Sequence, residues 1–246
     1  MTHAARLPSG GVVLTAGRKA YRIATAIEPV FEMKQMAMIG HRFEPVVIDT
    51  TGNFALDTKA LAALDWVDRE QVDIANIEQG IELLRMRPPE QRKLLLIIPA
   101  AFSTFASTRA RARIAPAVKR AIGEMGVKIL FEIRQLAGVP QGRISEVVSL
   151  LKPYCMTTMG HASAEPRAVA ALRGCGLAGA CVDFDGIKGG EALLEEHLGA
   201  LSSAAKASTG ACMIQGFNNL QQMALGRLAG ISHASIKASA MTVSHV

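Results

Sequence analysis

The chain has 246 residues, 27 basic and 21 acidic, so its formal net charge is +6; half of the residues are hydrophobic and a fifth are charged. That balance excludes a disordered or collagen-like chain, and the length suits one large domain or two small ones with a sizeable core. Aromatics at 4% are too scarce for stacking platforms, and a mild positive charge does not mark a DNA-binding protein, so no nucleic-acid polymer is expected as a partner.

Residues 1–20 carry little pattern and read as an N-terminal arm or a first helix, ahead of one domain over 21–246. Ile27–Phe31 and Pro45–Ile48 read as strands, with a turn or a third short strand between them in Glu32–Glu44. Thr50-Thr51-Gly52-Asn53 is a turn signal. Val72–Met86 is an amphipathic helix with Ile74, Ile77, Ile81 and Leu84 on one face, ended by Pro88-Pro89. Leu94–Ile98 is a continuous apolar strand of the kind buried on both faces. Helix and strand then alternate: helix Ile114–Met125, strand Val127–Ile133, helix Ile144–Leu151, strand Tyr154–Thr158, helix Pro166–Arg173 and strand Leu177–Asp183. Helix Glu191–Ala205, strand Ala211–Gln215, helix Asn218–Leu228 and strand Ile231–Ile236 complete the series.

Alternation of this kind predicts a parallel sheet with helices outside it, and about eight units in a chain of this length match a TIM-like (β/α)8 barrel of the α/β class. The first strands are irregular, because no helix separates them. The alternative is an open doubly wound sheet.

No segment reaches the roughly 18 apolar residues of a membrane helix. The longest apolar run, Leu94–Phe102, is interrupted by Pro99. The Gly-rich stretch Gly10–Gly17 is short and is followed at once by Arg18 and Lys19, which does not suit a signal peptide. The expected location is therefore cytoplasmic. Cys155, Cys175, Cys181 and Cys212 show no CxxC spacing. Their even count allows two disulfides, but without a secretion signal they read as free thiols.

In barrels of this type chemistry lies at the C-terminal ends of the strands. Those ends carry Pro99, Glu132 with Arg134, Thr158 to His161, Asp183 with Asp185, Gln215 with Asn218, and Lys237. The inventory is poor for two-metal hydrolysis, which needs several converging carboxylates.

The order of segments resembles an EAL domain, the cyclic di-GMP phosphodiesterase family, over roughly residues 21 to 238. Ile27-Glu28-Pro29-Val30 resembles the family's early strand. Ile39-Gly40-His41-Arg42-Phe43 falls where the naming motif belongs, with Arg42 at the metal-binding glutamate. In Ile98-Pro99-Ala100, Pro99 stands where the family has a metal-binding asparagine. Phe131-Glu132-Ile133-Arg134-Gln135 is similar to the ExxE-type strand, with Glu132 at the ligand position and Gln135 at the second acidic one. Met156 to His161 takes the place of the paired aspartates. In Ala180-Cys181-Val182-Asp183 the aspartate matches and Cys181 replaces the catalytic lysine. Ile214-Gln215-Gly216-Phe217-Asn218 resembles the glutamate-Gly-x-glutamate segment with both acids neutral, and Ala234-Ser235-Ile236-Lys237 replaces the final motif.

These departures imply a degenerate site. A unit positive charge about 4 Å from a divalent ion costs on the order of 8 kcal/mol at an effective dielectric near 20, so Arg42 alone empties it. The resemblance therefore implies no catalytic residues, no metal and no cofactor, and no hydrolysis of cyclic di-GMP. Glu132 and Asp183 read as a polar pair neutralised by Arg42, Arg134 or Lys237, an ion-pair network in place of metals. These five residues are the remnant ligand-binding candidates.

Other features have plainer readings. Gly186-Ile187-Lys188-Gly189-Gly190 lacks the full phosphate-loop pattern and reads as a plain loop. Arg109, Arg111, Arg113, Lys119 and Arg120 read as a solvated helix surface. His41 and His161 have no evident Cys or Asp partner at motif spacing and read as ordinary polar residues. Met33, Met36 and Met38 read as core fillers, with an exposed interface as the alternative.

The resulting expectation is an inactive EAL-like module acting through a protein partner, with a homodimer carried over from the family. A non-hydrolysing cyclic di-GMP receptor is the first alternative and a repurposed barrel enzyme the second. The chain ends soon after its last strand, so a closing helix is expected to be lost or replaced by a partner subunit.

Overall fold

A computed structural model of the chain describes residues 12–16, 19–92, 95–187 and 190–237. The strands are β1 (Val12–Ala16), β2 (Lys19–Glu32), β3 (Ala37–Asp49), β4 (Phe54–Ala55), β5 (Leu95–Ala101), β6 (Lys128–Arg134), β7 (Thr157–Ala162), β8 (Gly179–Asp183), β9 (Ala211–Phe217) and β10 (His233–Ile236). The helices are α1 (Thr58–Ala62), α2 (Trp66–Met86), α3 (Phe102–Ala106), α4 (Thr108–Met125), α5 (Gln141–Leu151), α6 (Pro166–Ala170), α7 (Glu191–Ser208) and α8 (Leu220–Leu228).

Eight strands close a ring in the order β2-β10-β9-β8-β7-β6-β5-β3, and β2 pairs back onto β3. This closure removes the doubly wound alternative. β3 and β5 to β10 run parallel, whereas β2 is antiparallel to both of its neighbours. The cause is local. β2 and β3 are joined by a tight turn at residues 33–36, and a tight turn can join only antiparallel strands. β4 follows β3 through a second turn, at residues 50–53, and is antiparallel to it, whereas β5 to β10 are each reached through a helical connection, as parallel pairing requires.

The hairpin also corrects the expectations for the N-terminal region. Ile27–Phe31 and Pro45–Ile48 are fragments of two long strands, and most of Glu32–Glu44 belongs to β3 rather than to a separate element. Val12–Ala16 is a strand outside the ring, paired antiparallel with β2, where an arm or helix was expected; residues 1–11 and 17–18 of that arm lie outside the described residues. Two further helical readings are lengthened. α2 begins at Trp66, capped by Asp65, whose carboxylate accepts from the Asp68 N–H, and α4 begins at Thr108 behind the Ser107 cap. The strand expected at Tyr154–Thr158 begins only at Thr157, after a single 3-10 turn at Lys152–Tyr154, and runs to Ala162. His161 thus lies within β7 rather than beyond it.

Most of the core lies between the outer face of the ring and the helices, in one continuous cluster that includes Ile98, Phe105, Ile114, Phe131 and Leu198. Inside the ring, Val30, Ile97, Leu130, Met159, Cys181 and Met213 form a separate apolar layer, one residue each from β2 and β5 to β9. Met33 is fully buried in the main core and Met36 packs against it, so these methionines fill the core. All four cysteines are free thiols. Gly40 permits the close approach of β3 to β5, because a Cβ there would sit 2.4 Å from the Leu95 carbonyl oxygen.

Candidate functional site

Alternate residues of a strand face the same side of a sheet. The apolar layer inside the ring therefore fixes what stands above it at the mouth. Two residues beyond Leu130, Met159, Cys181 and Met213 come Glu132, His161, Asp183 and Gln215. On the reversed strand β2 the count runs backwards, from Val30 to Glu28. Arg42 is paired with Ile97 across β3 and β5 and so shares its side. One pleat higher stand Glu44 and Arg134. The mouth is thus a polar layer built on an apolar floor.

Glu132 is at its centre and is fully buried. Its Oε1 accepts from Arg134 Nε at 2.7 Å. Its Oε2 accepts from Arg42 Nε at 3.0 Å and from Gln215 Nε2 at 2.7 Å. Burial alone would raise the pKa of this carboxyl, but the guanidinium charges of Arg134 and Arg42 reverse that and lower it to about 2.

Arg42, 2% exposed, reaches further. Its Nη1 lies 2.6 Å from Glu44 and 3.2 Å from Glu28. Burial works against its charge, yet Glu132, Glu44 and Glu28 together hold its pKa well above the ordinary value. Its Nη2 is buried without a hydrogen-bond partner in the structure. Glu28 is held from the other side by Ser235, whose hydroxyl donates to it at 2.9 Å and accepts from the Gly216 N–H at 3.0 Å. Burial is the largest influence on Glu28 and raises its pKa, despite the opposing charge of Arg42.

Arg134 spans the remaining side. Its Nη2 donates to Gln215 Oε1 at 3.2 Å and lies 3.5 Å from Glu44 and 3.7 Å from Asp183. His161 Nε2 is 3.1 Å from Asp183 Oδ2. Burial opposes ionisation of Asp183, but His161 and Arg134 hold its pKa well below the usual carboxylate range.

Of the five candidates, Arg42, Glu132, Arg134 and Asp183 therefore meet in one network. Lys237 does not join it. Its Nζ pairs with both oxygens of Asp185 at 2.9 Å, at the exposed rim. His161 lies beside Asp183, an acidic neighbour that motif spacing did not show. Sequence reasoning also missed Glu28, Glu44 and Ser235 as members. Arg42 and Glu44, like Glu132 and Arg134, are opposite charges two apart on a strand, and that signal would have pointed inward.

Behind the mouth, Asp73 of α2 is buried and accepts from the Ala101 N–H at 2.8 Å and the Thr104 hydroxyl at 2.6 Å. It thereby fixes the end of β5, where Pro99 stands. The basic stretch on α4 places exposed arginines in ion pairs, Arg109 with Glu70 at 2.8 Å and Arg113 with Glu78 at 3.3 Å, while Arg111 donates to the Phe105 and Ala106 carbonyls. In the Gly-rich loop, Lys188 and Gly189 lie outside the described residues. Among the described residues no helix is long and apolar enough to cross a membrane. No three of His, Cys, Asp and Glu among them are grouped to hold a metal ion.

The closed barrel, with its one reversed strand, is the feature to compare with known proteins. No family model matches the chain, and no curated protein matches it. Solved structures do. The FimX EAL domain from Pseudomonas aeruginosa, solved bound to c-di-GMP, superposes with a TM-score of 0.65 at 13% identity, covering 87% of this chain and 88% of that one. The YkuI protein of Bacillus subtilis, with an EAL domain and in complex with substrate c-di-GMP and calcium, gives 0.60 at 11% over 86% and 52%. The BlrP1 complex of Klebsiella pneumoniae with manganese and c-di-GMP gives 0.56 at 13% over 94% and 57%. The chain thus spans nearly all of the FimX domain and about half of the other two. At such identities the likeness is one of fold.

Proposed function

We propose that this barrel is a non-hydrolysing EAL-type module that acts in cyclic di-GMP-related signalling through a protein partner, as a soluble, cytoplasmic homodimer. The observation that carries this reading is the state of Glu132. Both of its oxygens are taken by Arg42, Arg134 and Gln215 at 2.7 to 3.0 Å. A metal ligand needs a lone pair aimed at an open position, and here guanidinium groups fill that position. The residues present do not fit a divalent cation. Fold by itself does not license function, so the partner role rests on a scaffold kept while its mouth is closed by charge pairs.

A second reading is a receptor that binds cyclic di-GMP without cleaving it. The unpartnered Nη2 of Arg42 and the partly exposed Arg134 favour it, since guanidinium groups hold phosphates well. Calorimetric titration with cyclic di-GMP, with and without Mg²⁺ or Ca²⁺, separates the two. The interaction module gives no heat up to high micromolar nucleotide. Micromolar binding lost on Arg134→Ala would replace it with the receptor.

A further inference from the structure

The end of the barrel opposite the mouth has its own chemistry. β3 and β5 to β10 start there, and the helices that precede β5 to β10 end there. The connections leading into β7, β8, β9 and β10 each bring an exposed base: Lys152, Arg173, Lys206 and Arg227. The stretches 150–157, 171–180, 203–212 and 225–234 that hold them contain no Asp or Glu. These four strands are neighbours in the sheet, so the bases follow one another in an arc, bounded at its β10 edge by Glu32, which stands opposite His233 and accepts from the Lys34 and Gln35 N–H groups. Lys206 Nζ reaches the next connection, where a Cβ on Gly230 would meet it at 3.0 Å. Lys128, exposed at the start of β6, extends the arc. The acid nearest it in the chain, Glu124, is paired with Arg85 at 3.2 Å.

Helix C-termini favour bases through the macrodipole, which accounts for the charge alone. It does not account for the apolar side chains among them. Leu228, beside Arg227, is 73% exposed, and Met156 and Leu150, flanking Lys152, are 59% and 41% exposed. Bases interspersed with exposed aliphatic tips match an anionic bilayer. The bases meet the headgroups while the tips enter the acyl boundary. A nucleic acid would use the charge but leave the aliphatic groups in water. We propose that this face docks the barrel on an anionic phospholipid surface, leaving the mouth turned away from the bilayer.

Sedimentation with vesicles of equimolar phosphatidylserine and phosphatidylcholine tests this. The full chain is expected to pellet with them at low salt, not with phosphatidylcholine alone, and to be released at about 0.5 M salt. The variant K152E/R173E/K206E/R227E is expected to lose binding on the order of a hundred-fold or more, since each base near an anionic surface contributes about five-fold. With every base kept, Leu228→Gln and Met156→Gln together are expected to weaken binding as well. Circular dichroism melts check that the variants fold, and the salt release of the unmodified chain reads the charge contribution without any variant. Absence of pelleting, equal binding to neutral vesicles, or vesicle binding unaffected by the Leu228 and Met156 changes and displaced by duplex DNA or polyglutamate would overturn the proposal.

Discussion

Arg42→Ala is expected to lose about 3 to 5 kcal/mol of folding stability, read as a lowered midpoint in urea. The side chain is 2% exposed and faces Glu132, Glu44 and Glu28 within 3.2 Å. Removing it leaves buried carboxylates with less opposing charge, and breaking one side of a buried ion pair costs far more than the pair contributes over an apolar substitute. The same reasoning gives a contrast. Arg42→Met combined with Glu132→Gln and Glu28→Gln removes charge on both sides, and should be less destabilised than Arg42→Ala alone despite carrying more changes. Lys237→Ala, at the exposed rim, should cost under about 1 kcal/mol. A loss below about 1 kcal/mol for Arg42→Ala would mean that the network does not hold the mouth together.

The second large effect is on acid stability. Glu132 has its pKa lowered from 4.5 to about 2 in the folded chain. A lowered carboxyl pKa contributes stability that is complete above the unfolded value and is lost as pH falls through the folded one. Stability should therefore drop between about pH 4.5 and pH 2, by about 3 kcal/mol from this group. Asp183 is shifted the same way and adds to the loss. Glu28 and Asp73, whose pKa values are raised by burial, work in the opposite sense: protonation relieves their buried charge, so they soften the fall. Urea midpoints across this range should show Glu132→Gln to be flatter than the unmodified chain and less stable at neutral pH. Parallel curves for the two would show that Glu132 is not held by charge.

The barrel was legible because apolar strands such as Leu95–Ala101 and amphipathic helices such as α2 alternate with clear periods and sharp stops. The N-terminal hairpin was less so. The parts that were missed carry charged residues such as Arg22, Arg42 and Glu44, which break the apolar run, so the full length of β2 and β3 was hidden. β7 was displaced because Tyr154-Cys155-Met156 has the composition of a strand but precedes it, and that slip moved His161 off its strand and away from Asp183. Arg42, Glu132, Arg134 and Asp183 were found through the order of segments, which sets which strand ends converge. Glu28, Glu44 and Ser235 were not, because their roles come from a closed ring. Ser235 and Glu28 are 207 residues apart in the chain and meet only because β10 pairs with β2. Lys237 was assigned to the network from its position at a strand end, but Asp185 at the rim is its partner.

The claim that guanidinium groups occupy the place of metals is tested most directly by incubating the chain with cyclic di-GMP and Mn²⁺ or Mg²⁺ and following the linear dinucleotide by chromatography. The arginine-filled mouth predicts that the nucleotide stays intact. Metal-dependent turnover that disappears on Glu132→Gln would contradict it, because Glu132 would then have to release Arg42 and Arg134 to take up a cation.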